Sequence, residues 1–162
     1  MNLDCLTFNI LDMPVFMTTQ LVKTDVLTCW NFFSDPSNLA RITPPEMGFK
    51  IRFPQPVPGM YAGMIIRYTV RPFPAFTVTW ITEITHVDRL RYFVDNQVSG
   101  PYRLWHHQHI FEEVPEGVMM TDIVNYELPM GWPGRIIAGD LVRRKIQKIF
   151  EHRRSIIGQM FP

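Results

Sequence analysis

The sequence is poor in cysteine. Cys5 and Cys29 are the two in 162 residues. They lack CxxC spacing, which argues against a disulfide framework or a thiolate metal site. No window approaches the roughly 18 consecutive apolar residues of a membrane span, so no transmembrane segment is expected. Residues 1–13 include Asp4 and Asp12 and have neither a basic start nor a long apolar run, so they do not read as a signal peptide. The default expectation is a cytoplasmic protein. Charge of one sign is also missing: Lys and Arg number 16, Asp and Glu 15, for a net charge of +1. That balance offers no electrostatic case for nucleic acid or an acidic membrane. There is no GxSxG, no Gly-rich strand-to-helix loop and no HExxH. Nucleophile-elbow, phosphate-loop and helical zinc chemistry therefore lose their usual sequence support.

Aromatics and methionine are abundant, with twelve Phe, five Tyr, four Trp and ten Met. Such residues fill a core or line an adaptable pocket. The chain is long enough for one domain with a good core, taken as 14–162 after an N-terminal extension, 1–13, of unclear order. Val15 to Val22 predicts a first strand. Asp25 is a plausible N-cap for a short helix with Val26, Leu27, Trp30 and Phe33 at helical spacing. Cys29 lies among those aromatics and is expected to pack, not to react. Pro36 suits the first turn of a second short helix, which Thr43-Pro44-Pro45 stops. A second strand follows at 48–53, then a Pro-rich loop, then strands near 61–71, 75–86, 90–98, 101–113 and 117–127. Turn residues mark each break, as expected of an antiparallel meander. The last segment, 135–158, predicts one long helix with Val142, Ile146, Ile149, Phe150 and Ile157 on a stripe. Its basic residues, Arg143, Arg144, Lys145, Lys148 and Arg154 among them, read as a solvated face.

The most informative stretch runs from Arg91 to Glu112. Two strand-like runs flank Ser99-Gly100-Pro101. Strand side chains alternate faces, so Phe93, Asp95 and Gln97 share one face of the first arm. Arg103, Trp105, His107, His109 and Phe111 share one face of the second, while His106 lies on the opposite side. A water-facing strand rarely carries so many large aromatics, and a plain core rarely accepts Asp, Gln and two His. Aromatic walls with a few placed polar groups describe a small-molecule cavity. Tyr68, with Ile66 and Val70, and Trp80, with Phe76 and Ile84, add inward faces on two earlier strands.

Element order and local words together resemble the START/Bet v 1-like (SRPBCC) helix-grip superfamily, closest to its bacterial ligand-binding, polyketide cyclase/dehydrase-like branch. The words are Phe93-Val-Asp95-Asn-Gln97, Gly100-Pro101-Tyr102, Trp105-His-His107-Gln-His109-Ile-Phe111 and Asp122-Ile-Val-Asn-Tyr126-Glu-Leu-Pro129. Ile42-Thr43-Pro44, Tyr61-Ala-Gly63, Trp80 and Phe150-Glu-His-Arg153 belong with them. The resemblance spans roughly 15–160. It implies an α+β helix grip: a curved seven-stranded antiparallel sheet wrapped around a long C-terminal helix, with two short helices between strands 1 and 2. It also implies a hydrophobic cavity between sheet and helix. A shared fold does not assign an activity.

The expected function is binding of a small hydrophobic or aromatic molecule in that cavity. Expected lining groups are Asp95, Gln97, Arg103, Trp105, His107, His109, Phe111, Asp122, Tyr126, Trp80 and Tyr68. The alternative is a cyclase, dehydratase or isomerase in which His107, His109, Asp95 and Asp122 do acid–base work on a polyketide-like substrate. An HxH pair with Asp95 or Asp122 could ligate a metal. Hydrogen-bonded histidine–carboxylate pairs are the simpler assignment, so no metal and no cofactor are expected. The partner is a small molecule and not nucleic acid, and a homodimer is left open.

Overall fold

Strand β1 (Val15–Val22) begins the described structure; the computed structural model describes residues 13–52, 59–73 and 76–162. Helix α1 (Val26–Phe33) follows, then two 3-10 turns, Pro36–Arg41 and Pro45–Met47. Strands β2 (Lys50–Arg52), β3 (Met64–Phe73), β4 (Phe76–Asp88), β5 (Tyr92–Ser99), β6 (Leu104–Val114) and β7 (Gly117–Glu127) come next, and helix α2 (Gly131–Met160) ends the chain. Among the described residues, seven strands form one sheet in the order β1-β7-β6-β5-β4-β3-β2. Each neighbouring pair is antiparallel. β1 and β2 are the two edges, so the short helices between them carry the chain from one edge to the other.

The local chemistry behaves as the residue types demand. Asp25 caps α1 by accepting a hydrogen bond from the Thr28 amide at 2.9 Å, satisfying one of the helix's orphan donors. Asp35 does the same for the following turn through the Ser37 amide at 2.9 Å. The second short helix expected after Pro36 is a 3-10 helix. It has six residues, and such tighter turns suit short pieces between caps. Register shifts interrupt the β3–β4 ladder between Val70 and Phe73 and the β4–β5 ladder at Ile81/Thr82 and Ile84/His86. Such irregularities bend strands and increase twist, which curves this half of the sheet around α2.

Helix α2 starts at Gly131, earlier than the expected 135. Pro133 is compatible with that start, because first-turn amides lack an intrahelical partner anyway. Ile146, Phe150 and Ile157 are buried, with Val142 and Ile149 partly so. Buried side chains gather in three clusters. One joins α1 to the sheet through Trp30, Phe32, Phe93, Phe111 and Ile157. A second lies on β3 and β4 around Met64, Tyr68, Trp80 and Ile84. The third is Val124, Tyr126, Ile146 and Phe150. Phe76, expected on the inward face with Trp80, is exposed. The face is the same, but it lies at the start of β4, beyond the body that covers Trp80. Cys5, residues 1–12, most of the Pro54–Gly59 loop and Pro74 lie outside the described residues. Among the described residues, no helix is long and apolar enough to cross a membrane.

Candidate functional site

The three clusters leave a cavity of ≈ 450 Å³ between them. Its sheet wall includes Ile66, Tyr68, Trp80, Thr82, Asp95, Trp105, His107 and His109. Its helix wall includes Val142, Ile146, Ile149, Phe150 and Arg153. Met130 and Ile137 also line it and are themselves exposed, which marks that end as the mouth. An aromatic belt runs along one side. Tyr68 and Trp80 stack at 5.8 Å, Trp80 meets Trp105 edge-on at 5.3 Å, and Tyr102 leans on Trp105 at 4.8 Å. The Tyr68 hydroxyl pairs with the Thr82 hydroxyl at 3.1 Å. Burial pushes the Tyr68 phenol well above its ordinary range, with Asp95 adding to the shift and Thr82 opposing it.

At the cavity wall the sheet register assembles a polar cluster. Asp95 on β5 lies opposite His107 on β6, and His109 lies opposite Asp122 on β7. Period-two alternation puts His107 and His109 on the same face, so each carboxylate also reaches the other ring diagonally. His107 Nε2 pairs with Asp122 Oδ1 at 2.9 Å, and its Nδ1 lies 3.4 Å from Asp95 Oδ2. His109 Nε2 pairs with the same Asp95 oxygen at 3.1 Å. Its Nδ1 lies 2.8 Å from Asp122 Oδ1, but not in hydrogen-bond alignment. The two rings are 3.8 Å apart, and Phe93 stacks on His109 at 4.1 Å.

Burial and the neighbouring His109 hold the His107 pKa below its ordinary value, against the pull of Asp122 and Asp95. Burial opposes charge on His109 too, but its pairs with Asp122 and Asp95 outweigh it and raise the pKa. Burial would also raise Asp122; the hydrogen bond from His107 and the close approach of His109 outweigh it and hold its carboxyl far below the usual range. The cluster therefore favours one charged ring beside one neutral ring. Two rings so close in a buried site disfavour a second charge.

Arg153 on α2 completes the group from the opposite side. Its side chain is only 10% exposed, and Nη1 lies 3.8 Å from Asp122 Oδ1. The guanidinium sits over the Phe150 ring at 4.7 Å. Arg153 is not among the expected site residues, yet the sequence carries a signal for it. Spacing of three to four residues from Ile146 through Ile149 and Phe150 to Ile157 puts position 153 on the inward stripe.

The structure separates the remaining expected residues from the cavity wall. Asp122 lies behind the two histidines and does not line the cavity. Gln97 is spent on the turn, donating to the Tyr102 carbonyl at 2.6 Å and accepting from the Tyr102 amide at 3.2 Å. Arg103 points outward and pairs with Glu127 at 3.4 Å. Phe111 belongs to the α1 cluster, 5.6 Å from Trp30. Tyr126 is buried beside Val124, Ile146 and Phe150. His106, on the outer face, pairs with Asn96 at 2.7 Å. Tyr102, Phe150 and Thr82 line the cavity and were not selected from the sequence.

Asp95, His107 and His109 each present a ligand atom within 4.8 Å of the others, the donor set of a two-histidine, one-carboxylate centre. The fit is poor in this setting. The ring nitrogens already face carboxylate oxygens, and the Arg153 cation adjoins the cluster, opposing a dication by charge repulsion.

No family model matches the sequence, and no curated protein matches it. Solved structures do match. Protein Ms6760 from Mycobacterium smegmatis superposes with a TM-score of 0.68 at 16% identity, over 96% of this chain and 95% of that one. Ara h 8.0201 gives 0.60 at 13% identity, over 91% and 99%. The di-domain ARO/CYC BexL from the BE-7585A biosynthetic pathway gives 0.65 at 16% identity, over 91% of this chain and 49% of BexL. At these identities the likeness is one of fold, and it establishes a START/Bet v 1-like helix grip.

Proposed function

We propose that the chain binds a small hydrophobic or aromatic molecule in the cavity between sheet and α2. The observation that supports this best is the cavity itself: ≈ 450 Å³, mainly apolar and aromatic, with a few convergent polar groups on one wall. Pockets for small ligands run from roughly 300 to 1,000 Å³ and share that composition. Burial of apolar ligand surface, at roughly 25 cal/mol per Å², supplies the affinity. The polar wall sets orientation. A cytoplasmic carrier or sensor is the setting this reading expects.

The test is a titration with the neutral fluorophore N-phenyl-1-naphthylamine. The expected result is saturable binding, lost in Ile149→Trp, whose indole fills the space beside α2. Absence of saturable binding, or unchanged binding in a folded Ile149→Trp protein, overturns the reading.

A second reading, acid–base catalysis of the cyclase, dehydratase or isomerase type, draws on one observation. His107 and His109 both line the cavity, and each faces a carboxylate that orients it. His107 or His109 is the base in that scheme, with Asp95 or Asp122 behind it. Retained affinity but abolished turnover of a polyketide-like substrate in His107→Asn and His109→Asn would favour it over binding alone.

A further inference from the structure

The geometry points to a ligand that carries a carboxylate or another anionic oxygen, held by the Arg153 guanidinium at the inner end of an otherwise apolar body. This inference rests on the cavity-binding reading and narrows the class of molecule that reading admits.

Arg153 is buried, yet its donors are unspent. A guanidinium carries five N–H donors and no acceptor. Nε is fully shielded and has no hydrogen-bond partner. The nearest counter-charge, Asp122 Oδ1, is 3.8 Å from Nη1, beyond hydrogen-bond range. Among the described residues, no side-chain hydrogen bond reaches the guanidinium; its remaining contact is the face of Phe150. Leaving such a group buried without acceptors is costly. Elsewhere on α2, Arg143, Arg144 and Arg154 are satisfied. Arg144 donates to Asp140 at 2.8 Å, and Arg154 to the Thr18 hydroxyl at 2.6 Å.

The position fits an acceptor brought by a ligand. Arg153 lines the cavity together with Phe150, Ile146 and His107. The protein's own acid nearest to it is already committed. Asp122 Oδ1 takes the His107 hydrogen bond at 2.9 Å and faces His109 Nδ1 at 2.8 Å. Asp95, which does line the cavity, is turned to the two histidines. A carboxylate suits a guanidinium better than a neutral oxygen does, because the planar fork donates two parallel charge-assisted bonds to its two oxygens. The hydrophobic remainder of the ligand then lies along Ile149, Val142 and the aromatic belt toward the mouth.

The experiment uses two probes of one shape, 6-phenylhexanoate and 6-phenylhexanamide, competing against N-phenyl-1-naphthylamine on the full chain. The expected result is that the carboxylate displaces the fluorophore at a concentration lower by about tenfold or more. Arg153→Gln should reduce that preference, read as the ratio of the two displacing concentrations within the same variant, to within about twofold, and Arg153→Lys should fall between, since it keeps charge but not the fork. Equal displacement by acid and amide in the wild-type protein overturns the inference whether or not the variants fold. An unchanged preference in a folded Arg153→Gln overturns it as well. Failure of the fluorophore itself to bind is a different outcome: it removes the cavity-binding reading, and this inference with it.

Discussion

Asp122 is the counter-charge that His107, His109 and Arg153 share. Replacing it by Asn keeps shape and removes charge. Breaking a buried pair by deleting one partner typically costs about 3–5 kcal/mol, so Asp122→Asn should lower unfolding stability by about 3 kcal/mol in a urea titration. A loss under about 1 kcal/mol would show that the carboxylate is not what holds the cluster. The histidines should leave opposite marks on stability against pH. The His109 pKa is raised on folding, so its contribution is complete below about 6.5 and is lost as pH rises through the folded value. The His107 pKa is lowered, so its contribution is complete above about 6.5 and is lost as pH falls toward the folded value. In urea titrations across pH, His109→Gln should flatten the alkaline decline and His107→Gln the decline just below pH 6.5. The reverse assignment would exchange the roles of the two rings. Much of this cluster was readable beforehand, because a period of two puts Asp95, His107 and His109 on one face. That period gives the face but not the depth along a strand. Gln97 and Phe111 fall on the correct face yet lie past the two ends of the cavity, one in the turn and one against Trp30.

Each element's limits follow from what its ends must satisfy. β1 and β7 run over the expected residues because their partners and turns are unambiguous, with Val15 opposite Asn125 and Val22 opposite Val118. β2 begins later than expected, at Lys50, and among the described residues it pairs Lys50–Arg52 with β3; Phe53, the expected end, lies outside them. Its start is set by the left-handed turn at Gly48, which single-strand periodicity does not reveal. α2 was read short because Gly131, Pro133 and Gly134 look like helix breakers; a first turn tolerates Pro where an interior does not. Gly117 carries a sharper constraint. Its φ is +142°, and an added Cβ would collide with the carbonyl oxygen of Val22 on β1. Gly117→Ala should therefore strain the β6–β7 turn and push β1 away. A loss of more than about 1 kcal/mol is expected, read by chemical denaturation, with a neutral result showing that the edge strand yields freely. Just past the same end of β1, Asp25→Ala should cost about 1 kcal/mol by the same measurement, the usual worth of an N-cap carboxylate.

At the scale of the molecule, the fold holds its sheet and long helix apart with three separate clusters instead of one continuous core. The element order made that architecture legible. Whether side chains would fill the interior was not legible, because it depends on how far the bulged strands curve away from α2 and on the angle at which the helix crosses. A protein built around such a space should be stabilised by whatever occupies it. A ligand that binds only the folded state at about a hundred times its Kd adds about 2.7 kcal/mol. For a chain of this length each kcal/mol moves Tm by about 2–4 °C. N-phenyl-1-naphthylamine at that ratio should then raise Tm by roughly 5–11 °C. In Ile149→Trp the same addition should leave Tm unmoved, while the variant's own Tm should not fall, because the indole occupies space and displaces no packed neighbour. If the fluorophore binds but Tm stays constant, it binds the unfolded chain equally well and the site is not this cavity. If Ile149→Trp melts well below the wild type, the space beside α2 is smaller than the structure shows and is already needed by the core.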